Sequence, residues 1–159
     1  MEISRKHVAI LHLALILVAC GAPVPDAQVG TTTSNGADAP PTEEVQVVTT
    51  FVDAYNRHAV DDLLALTHPD VEWLAVSGDG VQTEAGGQEA LAQALGGYFE
   101  ALPSARSELL TAESLGAYVT THERALWDTD AGTQSQASVA VYEIQDRLVR
   151  RVWYFPAVR

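Results

Sequence analysis

SVAVYEIQDRLVRRVWYF, residues 138–155, is the stretch whose reading decides the fold. Val139, Val141, Tyr142 and Ile144 in its first half, and Leu148, Val149, Val152, Trp153, Tyr154 and Phe155 in its second, are β-branched, aromatic or aliphatic. Such side chains fill a pleated surface, and the pattern predicts two strands joined by a tight turn at Gln145-Asp146. Val139 and Val141 alternate with Tyr142 and Ile144, and Val152 and Tyr154 with Trp153 and Phe155, so large apolar groups fall on both faces. A hairpin of this kind requires a cover on one face and a partner or cavity on the other.

The strand pattern extends upstream to Arg106, with strands expected over Arg106 to Thr111, Ala117 to Thr129, Thr133 to Ile144 and Arg147 to Phe155. Turns fall near Leu115-Gly116 and Asp130-Ala131-Gly132. Before them the periodicity changes. Thr42 caps a helix with Glu43 and Glu44 in its first turn, where the helix dipole favours acids, and Val45, Val48, Phe51, Val52 and Tyr55 recur at helical spacing to about Arg57. Leu63, Leu64 and Leu66 mark a short second helix from Val60, which Pro69 ends. VEWLAV, Val71 to Val76, reads as a strand, and Val81 to Thr83 pairs back across Gly78-Asp79-Gly80. Gly86-Gly87 opens a third helix, Gln88 to Ala101, with Leu91, Leu95, Tyr98, Phe99 and Leu102 on its apolar face and Pro103 as its stop. The order α-α-β-β-α-β-β-β-β predicts an α+β cone, three helices on one side of a curved, mostly antiparallel sheet.

Charge excludes several partners. The 159-residue chain carries a formal charge of −12 and its only lysine is Lys6. Beyond Ala19 there remain 7 Lys+Arg against 20 Asp+Glu. A nucleic-acid backbone or an anionic membrane surface is bound through clustered cations, so neither is an expected partner.

The first segment is an address. Arg5, Lys6 and His7 precede the apolar run Val8 to Ala19, too short to span a bilayer but suited to a signal-peptide core. Leu17-Val18-Ala19-Cys20 resembles the lipobox of bacterial lipoproteins. That resemblance implies a signal peptide over 1–19, lipidation of Cys20, and a domain held on the extracytoplasmic side of the cell envelope by its lipid alone. Residues 20–42 hold the lipidated cysteine and a Gly-, Pro- and Thr-rich tether that lacks the apolar groups to fold; the tether's reach as a coil is roughly 25 Å. Cys20 is the only cysteine, so neither a disulfide nor a thiolate nucleophile is expected after it.

Over 43–159 the element order, with FVDAYNRHAVDDLLALTHPDVEW in front, GGQEALAQAL at the third helix and the closing hairpin, resembles the nuclear transport factor 2-like superfamily. Within it the likeness is to the SnoaL-like and ketosteroid isomerase-related branch. The resemblance implies a conical pocket lined by the concave sheet face. It also implies where the steroid isomerases keep their chemistry: an Asp base, a Tyr donor and a protonated Asp. In an ungapped register those positions hold Ala75, Phe51 and Ser138, which supply neither the acids nor the phenol, so steroid isomerisation by that route is not expected.

The same register turns Tyr55, Val71, Trp73, Ser138, Ala140, Tyr142, Arg151, Trp153 and Phe155 inward, and Tyr98 and Trp127 join the aromatic candidates for ligand contact. Aromatics with a polar handle suit a small, largely apolar molecule. In the polar strand YVTTHERALW, alternation places Val119, Thr121, Glu123, Ala125 and Trp127 together, with the family register favouring Glu123 inward. A carboxylate in an apolar cone has its pKa raised by desolvation and can act as a base, steadied by Arg151; the competing reading is an ion pair with an arginine on a neighbouring strand. His122 and Arg124 then face outward, on the sheet surface relatives use for dimerisation.

No other chemistry is spelled out. His58 and His68 have no third ligand at metal-binding spacing, no nucleophile elbow occurs, and Gly86-Gly87 and Gly96-Gly97 are not phosphate loops, so no metal or other cofactor is expected. Three readings stand on sequence: a lipid-anchored pocket protein that binds a small apolar molecule, an acid/base enzyme using Glu123, and a module that homodimerises or binds another envelope protein through its outer sheet face.

Overall fold

The structure is a computed structural model, and it describes residues 40–158; the signal segment, Cys20 and most of the tether lie outside the described residues. Helix α1 spans Glu43–Asn56, capped by the Thr42 side chain, which accepts from the Val45 amide. A break at His58 in the left-handed region (φ 54°) leads into α2, Val60–Ala65. Strands β1 (Thr67–Ser77) and β2 (Gly80–Gly86) form a hairpin, α3 covers Gln88–Ala101, and β3 (Arg106–Leu115), β4 (Tyr118–Thr129), β5 (Gly132–Gln145) and β6 (Leu148–Tyr154) follow as a meander. The six strands make one sheet in the order β2-β1-β6-β5-β4-β3, antiparallel except where β1 meets β6. Three helices on a curved sheet are the α+β cone the element order predicts.

The core lies between helices and sheet. Val48 and Phe51 of α1, Leu63 of α2, and Leu91 and Leu95 of α3 bury against Val71 and Trp73 of β1, Val119 of β4, Ala140 and Tyr142 of β5, and Val149 and Val152 of β6. The helical periodicity in the sequence is the spacing of this buried stripe. Gln88 stitches the layers together, its amide donating to the carbonyls of Leu64 and Thr67.

Three differences from the sequence reading matter. Strand β1 begins at Thr67, so Pro69 lies inside a strand; it sits between Thr67 and Glu72, where the pairing with β6 is interrupted and no ladder amide is needed. The β5–β6 turn residues are Asp146-Arg147, not Gln145-Asp146: both have positive φ (53° and 64°), and Gln145 pairs with Leu148 to close a two-residue loop whose backbone follows the sheet's twist.

The third difference is the largest. Ile144 pairs with Val149 but Glu143 pairs with Arg151, so Arg150 is an extra residue, a β-bulge. One extra residue exchanges the faces of everything beyond it. Val152 and Tyr154 therefore lie beside Tyr142 and Ala140 on the concave side, while Arg151 and Trp153 lie beside Glu143 and Val141 on the convex side.

Candidate functional site

The concave face closes around a small cavity of about 40 Å³. Phe51 and Tyr55 of α1 and Tyr98 of α3 form its helical wall, with Trp73 of β1 and Tyr154 of β6 opposite them. Ser107, Glu123, Ala125, Gln136 and Ser138 supply the remainder from β3, β4 and β5. The rings brace one another. Trp73 stacks on Tyr154 with centroids 5.0 Å apart, and Tyr55 meets Phe99 edge-on at 5.1 Å.

Glu123 is the one acid on this wall, and no lysine, arginine or histidine is among the lining residues. It is 4% exposed. Hydroxyls from four strands serve it: Thr121 Oγ1 at 2.8 Å and Tyr142 Oη at 2.7 Å donate to Oε1, while Tyr154 Oη at 3.3 Å and Ser107 Oγ at 3.4 Å reach Oε2. The proton count separates the two oxygens. The single proton of Tyr142 is committed to Oε1, so Tyr154 is the donor across the 3.0 Å contact between the two phenols, and its longer contact with Oε2 competes for the same proton. Thr121 and Tyr142 are fully buried, whereas Tyr154 and Ser107 line the cavity. Oε2 is thus the oxygen on the cavity side and the one with unused acceptor capacity.

Burial raises the Glu123 carboxyl above the usual carboxylate range, against the opposing pull of hydrogen bonds from Tyr142, Thr121, Tyr154 and Ser107. Burial, and then the charge of Glu123, raise Tyr142 and Tyr154 as well, so both phenols keep their protons and remain donors. Tyr55 is raised by burial first and then by Tyr98. The result is a single carboxylate that can hold or release a proton at Oε2, facing a space walled by aromatic rings.

Of the residues singled out in the sequence, Tyr55, Trp73, Tyr98, Glu123 and Ser138 meet at the cavity. Tyr142 lies beneath it and acts through Glu123. Trp127 is buried on the same face of β4 but is not among the lining residues.

Arg151, Trp153 and Phe155 do not point inward. Arg151 lies on the convex face and donates to Glu143 Oε2 at 2.8 Å and to Glu72, so it does not steady Glu123. Trp153 packs near Tyr118, and Phe155 is exposed beyond the end of β6. The bulge at Arg150 is the cause in all three. The alternative ion pair is absent too: Arg124, not Glu123, makes the β3–β4 pair, with Glu108 at 3.4 Å. Tyr154 and Ser107 were missed. A signal for Tyr154 exists in the sequence, since an inward Arg151 would bury a guanidinium in an aromatic cone, a cost that argues for an irregular residue in the strand. Among the described residues no group of three or more metal-ligating side chains gathers; His58 instead bonds the Ala105 carbonyl at 2.8 Å and stacks on Phe99.

The SnoaL-like domain model matches residues 48–152, from α1 through β6. The chain belongs to the SnoaL-like family. No curated protein matches it in sequence. Among solved structures, this SnoaL-like domain is similar to a cystatin-fold protein from Novosphingobium aromaticivorans, with 23% identity, coverage of 75% of this chain and 100% of that one, and a TM-score of 0.63. A protein of ketosteroid isomerase-like fold from Catenulispora acidiphila, solved in complex with trimethylamine, shares 12% identity over 70% of this chain and 85% of its own, with a TM-score of 0.61. TerC co-crystallized with polyporic acid shares 17% over 71% and 90%, with a TM-score of 0.59. At these identities the likeness is one of fold.

Proposed function

We propose that this SnoaL-like domain binds a small organic molecule in the aromatic cavity and that Glu123 Oε2 is the group that engages it. The observation that carries the reading is the contrast between the two carboxylate oxygens, one saturated by buried hydroxyls and the other left to the cavity with only long contacts. A nearly dry acceptor with spare capacity, enclosed by rings, gives an incoming donor a strong hydrogen bond and apolar contact together. The fold is compatible with ligands as different as the polyporic acid and trimethylamine held by its structural neighbours. The cavity volume of about 40 Å³ suits a ligand of few heavy atoms, unless the rings of Tyr55 and Tyr98 swing aside. Native mass spectrometry of the full chain, purified from its own cell extract, tests the reading. A bound mass that Glu123→Gln releases supports it, and a ligand-free chain under conditions that preserve folding refutes it.

The second reading is acid/base catalysis at the same atom, an isomerase, lyase, cyclase or hydrolase step. The direction of the Glu123 shift favours it, because burial that disfavours the ionised form makes the carboxylate a stronger base than one in water. Steroid isomerisation by the family's acid pair has no support, since Phe51 and Ser138 stand in the wall without a phenol or a second acid. Under this reading, turnover of a candidate substrate disappears in Glu123→Gln while the fold persists. Full activity in that variant removes Glu123 as the base.

We further propose, from the lipobox-like Leu17-Val18-Ala19-Cys20, that lipid on Cys20 tethers the domain to the outer side of a bacterial membrane. Cys20→Ser then moves the protein from the membrane to the soluble fraction, and unchanged membrane fractionation defeats the anchor.

A further inference from the structure

We propose that the ligand class of this pocket is a compact organic cation, an alkylammonium ion with at least one N–H, held between Glu123 Oε2 and the surrounding aromatic rings. The inference rests on the pocket reading above and names what that pocket selects.

Arg57, Arg106, Arg124, Arg147, Arg150 and Arg151 are all engaged by acids at or near the surface: Asp62, Asp128, Glu108, Glu43, Glu72 and, for Arg151, Glu143 as well. The only lysine is Lys6, far upstream of the domain. Glu123 is the one buried carboxylate among the described residues, and no cation among them pairs with it. The groups facing it are Ser107 of β3, Thr121 of β4, Tyr142 of β5, Tyr154 of β6 and Tyr55 of α1, all uncharged. A buried carboxylate without a counter-ion is costly when ionised, and a ligand that brings the positive charge removes that cost.

The walls point the same way. The quadrupole of an aromatic ring attracts a cation to its face, and Phe51, Tyr55, Trp73, Tyr98 and Tyr154 enclose the space beside Oε2. An anion would meet the carboxylate, and a polar neutral molecule would gain from the acceptor but little from the rings. Size narrows the class: at roughly 10–15 Å³ for each water-sized occupant, a cavity of about 40 Å³ holds three or four heavy atoms. The N–H requirement follows from the unused capacity of Oε2, which a fully alkylated ammonium cannot fill. A chain of formal charge −12 also draws cations toward itself.

The test titrates trimethylammonium and its neutral four-heavy-atom counterpart, 2-propanol, into the full chain at neutral pH, following the Trp73 indole and backbone amides by NMR. Saturable shifts centred on Trp73 are expected with trimethylammonium, and 2-propanol is expected to bind at least about tenfold more weakly. Glu123→Gln is expected to lose about tenfold in trimethylammonium affinity, while Glu108→Gln on the outer surface changes nothing. Comparing the two probes on the unaltered chain needs no variant, so the inference remains testable even if Glu123→Gln fails to fold. Equal binding of both probes at Trp73 overturns the cation class and leaves the pocket reading standing. Trimethylammonium shifts confined to the acidic outer surface, with 2-propanol still bound at Trp73, overturn the inference alone. No response of Trp73 to either probe takes down both.

Discussion

The two faces of the sheet treat the same side chain in opposite ways. On the convex face Glu72, Glu143 and Glu108 each lie within reach of an arginine and of water. On the concave face Glu123 has four hydroxyls and, among the described residues, no cation. Solvent and a guanidinium neutralise the first group cheaply, so those pairs contribute little to stability. The hydroxyls around Glu123 replace water's dipoles without cancelling the charge, so its ionised form stays expensive. Glutamate composition is thus no guide to function in this fold; the face is. On β6 the face is set by one residue, because the bulge at Arg150 is what sends Arg151 outward and Tyr154 inward.

Inserting one alanine between Arg151 and Val152 attacks that division directly. With the bulge at Arg150 in place, the insertion would bring Trp153 to the concave side and turn Val152 and Tyr154 to the solvent. Exposing a core valine while forcing an indole into the filled wall combines two of the costliest classes of change, so the insertion is expected to cost more than about 5 kcal/mol and abolish cooperative unfolding. A urea transition close to that of the unaltered chain would show that the residue count of β6 does not govern the faces. Next in size, the two tryptophans should part company. Trp73→Ala empties the cavity wall and is expected to cost about 3–5 kcal/mol, whereas Trp153→Ala removes a partly buried ring beside Tyr118 and is expected to cost about 1–2 kcal/mol. Equal shifts of the urea midpoint would erase the distinction between the faces.

The same contrast explains what could be read without coordinates. Elements whose periodicity carries a one-sided burial signal were legible: α1 and α3 follow the spacing of Val48, Phe51, Leu91 and Leu95, all buried. Strand β4 was legible for a related reason, since Val119, Thr121 and Glu123 alternate with exposed residues, and the family register laid on that alternation put Glu123 on the concave side. Strand β6 was not. Its apolar residues fall on both faces, so hydrophobicity gives no parity, and a bulge leaves no mark in composition beyond the tandem Arg150-Arg151. The hydroxyl cluster was half legible for that reason: Thr121 shares its face with Glu123 by alternation and Tyr142 followed from the family register, while Tyr154 depended on the bulge, and Ser107 on a β3 strand whose burial pattern is irregular.

Carboxylate truncation probes a smaller difference. Glu123→Ala leaves the Tyr142 and Thr121 hydroxyls without their acceptor in a dry interior and is expected to cost about 1–3 kcal/mol. Glu143→Ala removes one partner of an arginine that keeps Glu72 and is expected to cost less than about 1 kcal/mol. Thermal or urea unfolding of the two variants side by side reads the difference, and a larger loss from Glu143→Ala would invert the assignment of the faces.

The smallest effect is the most specific, because it reports the missing counter-ion itself. Glu123 is raised above the usual carboxylate range in the folded chain by burial. Between the unfolded carboxyl's pKa and that raised folded value, the native state holds a proton the unfolded chain has released. Stability contributed by the neutral carboxyl is therefore complete below the unfolded pKa and is lost as pH rises through the folded one. The slope from one such group cannot exceed about 1.4 kcal/mol per pH unit. Glu123→Gln keeps a neutral, similarly shaped side chain at every pH, so the stability of the unaltered chain relative to this variant should fall as pH rises across that window and level off above it. Glu143→Gln, on the arginine-paired face, should leave the falling profile in place. A parallel profile for the unaltered chain and Glu123→Gln would mean that the hydroxyls of Thr121, Tyr142, Tyr154 and Ser107 fully compensate the buried charge, and the reason for a cationic ligand would go with it.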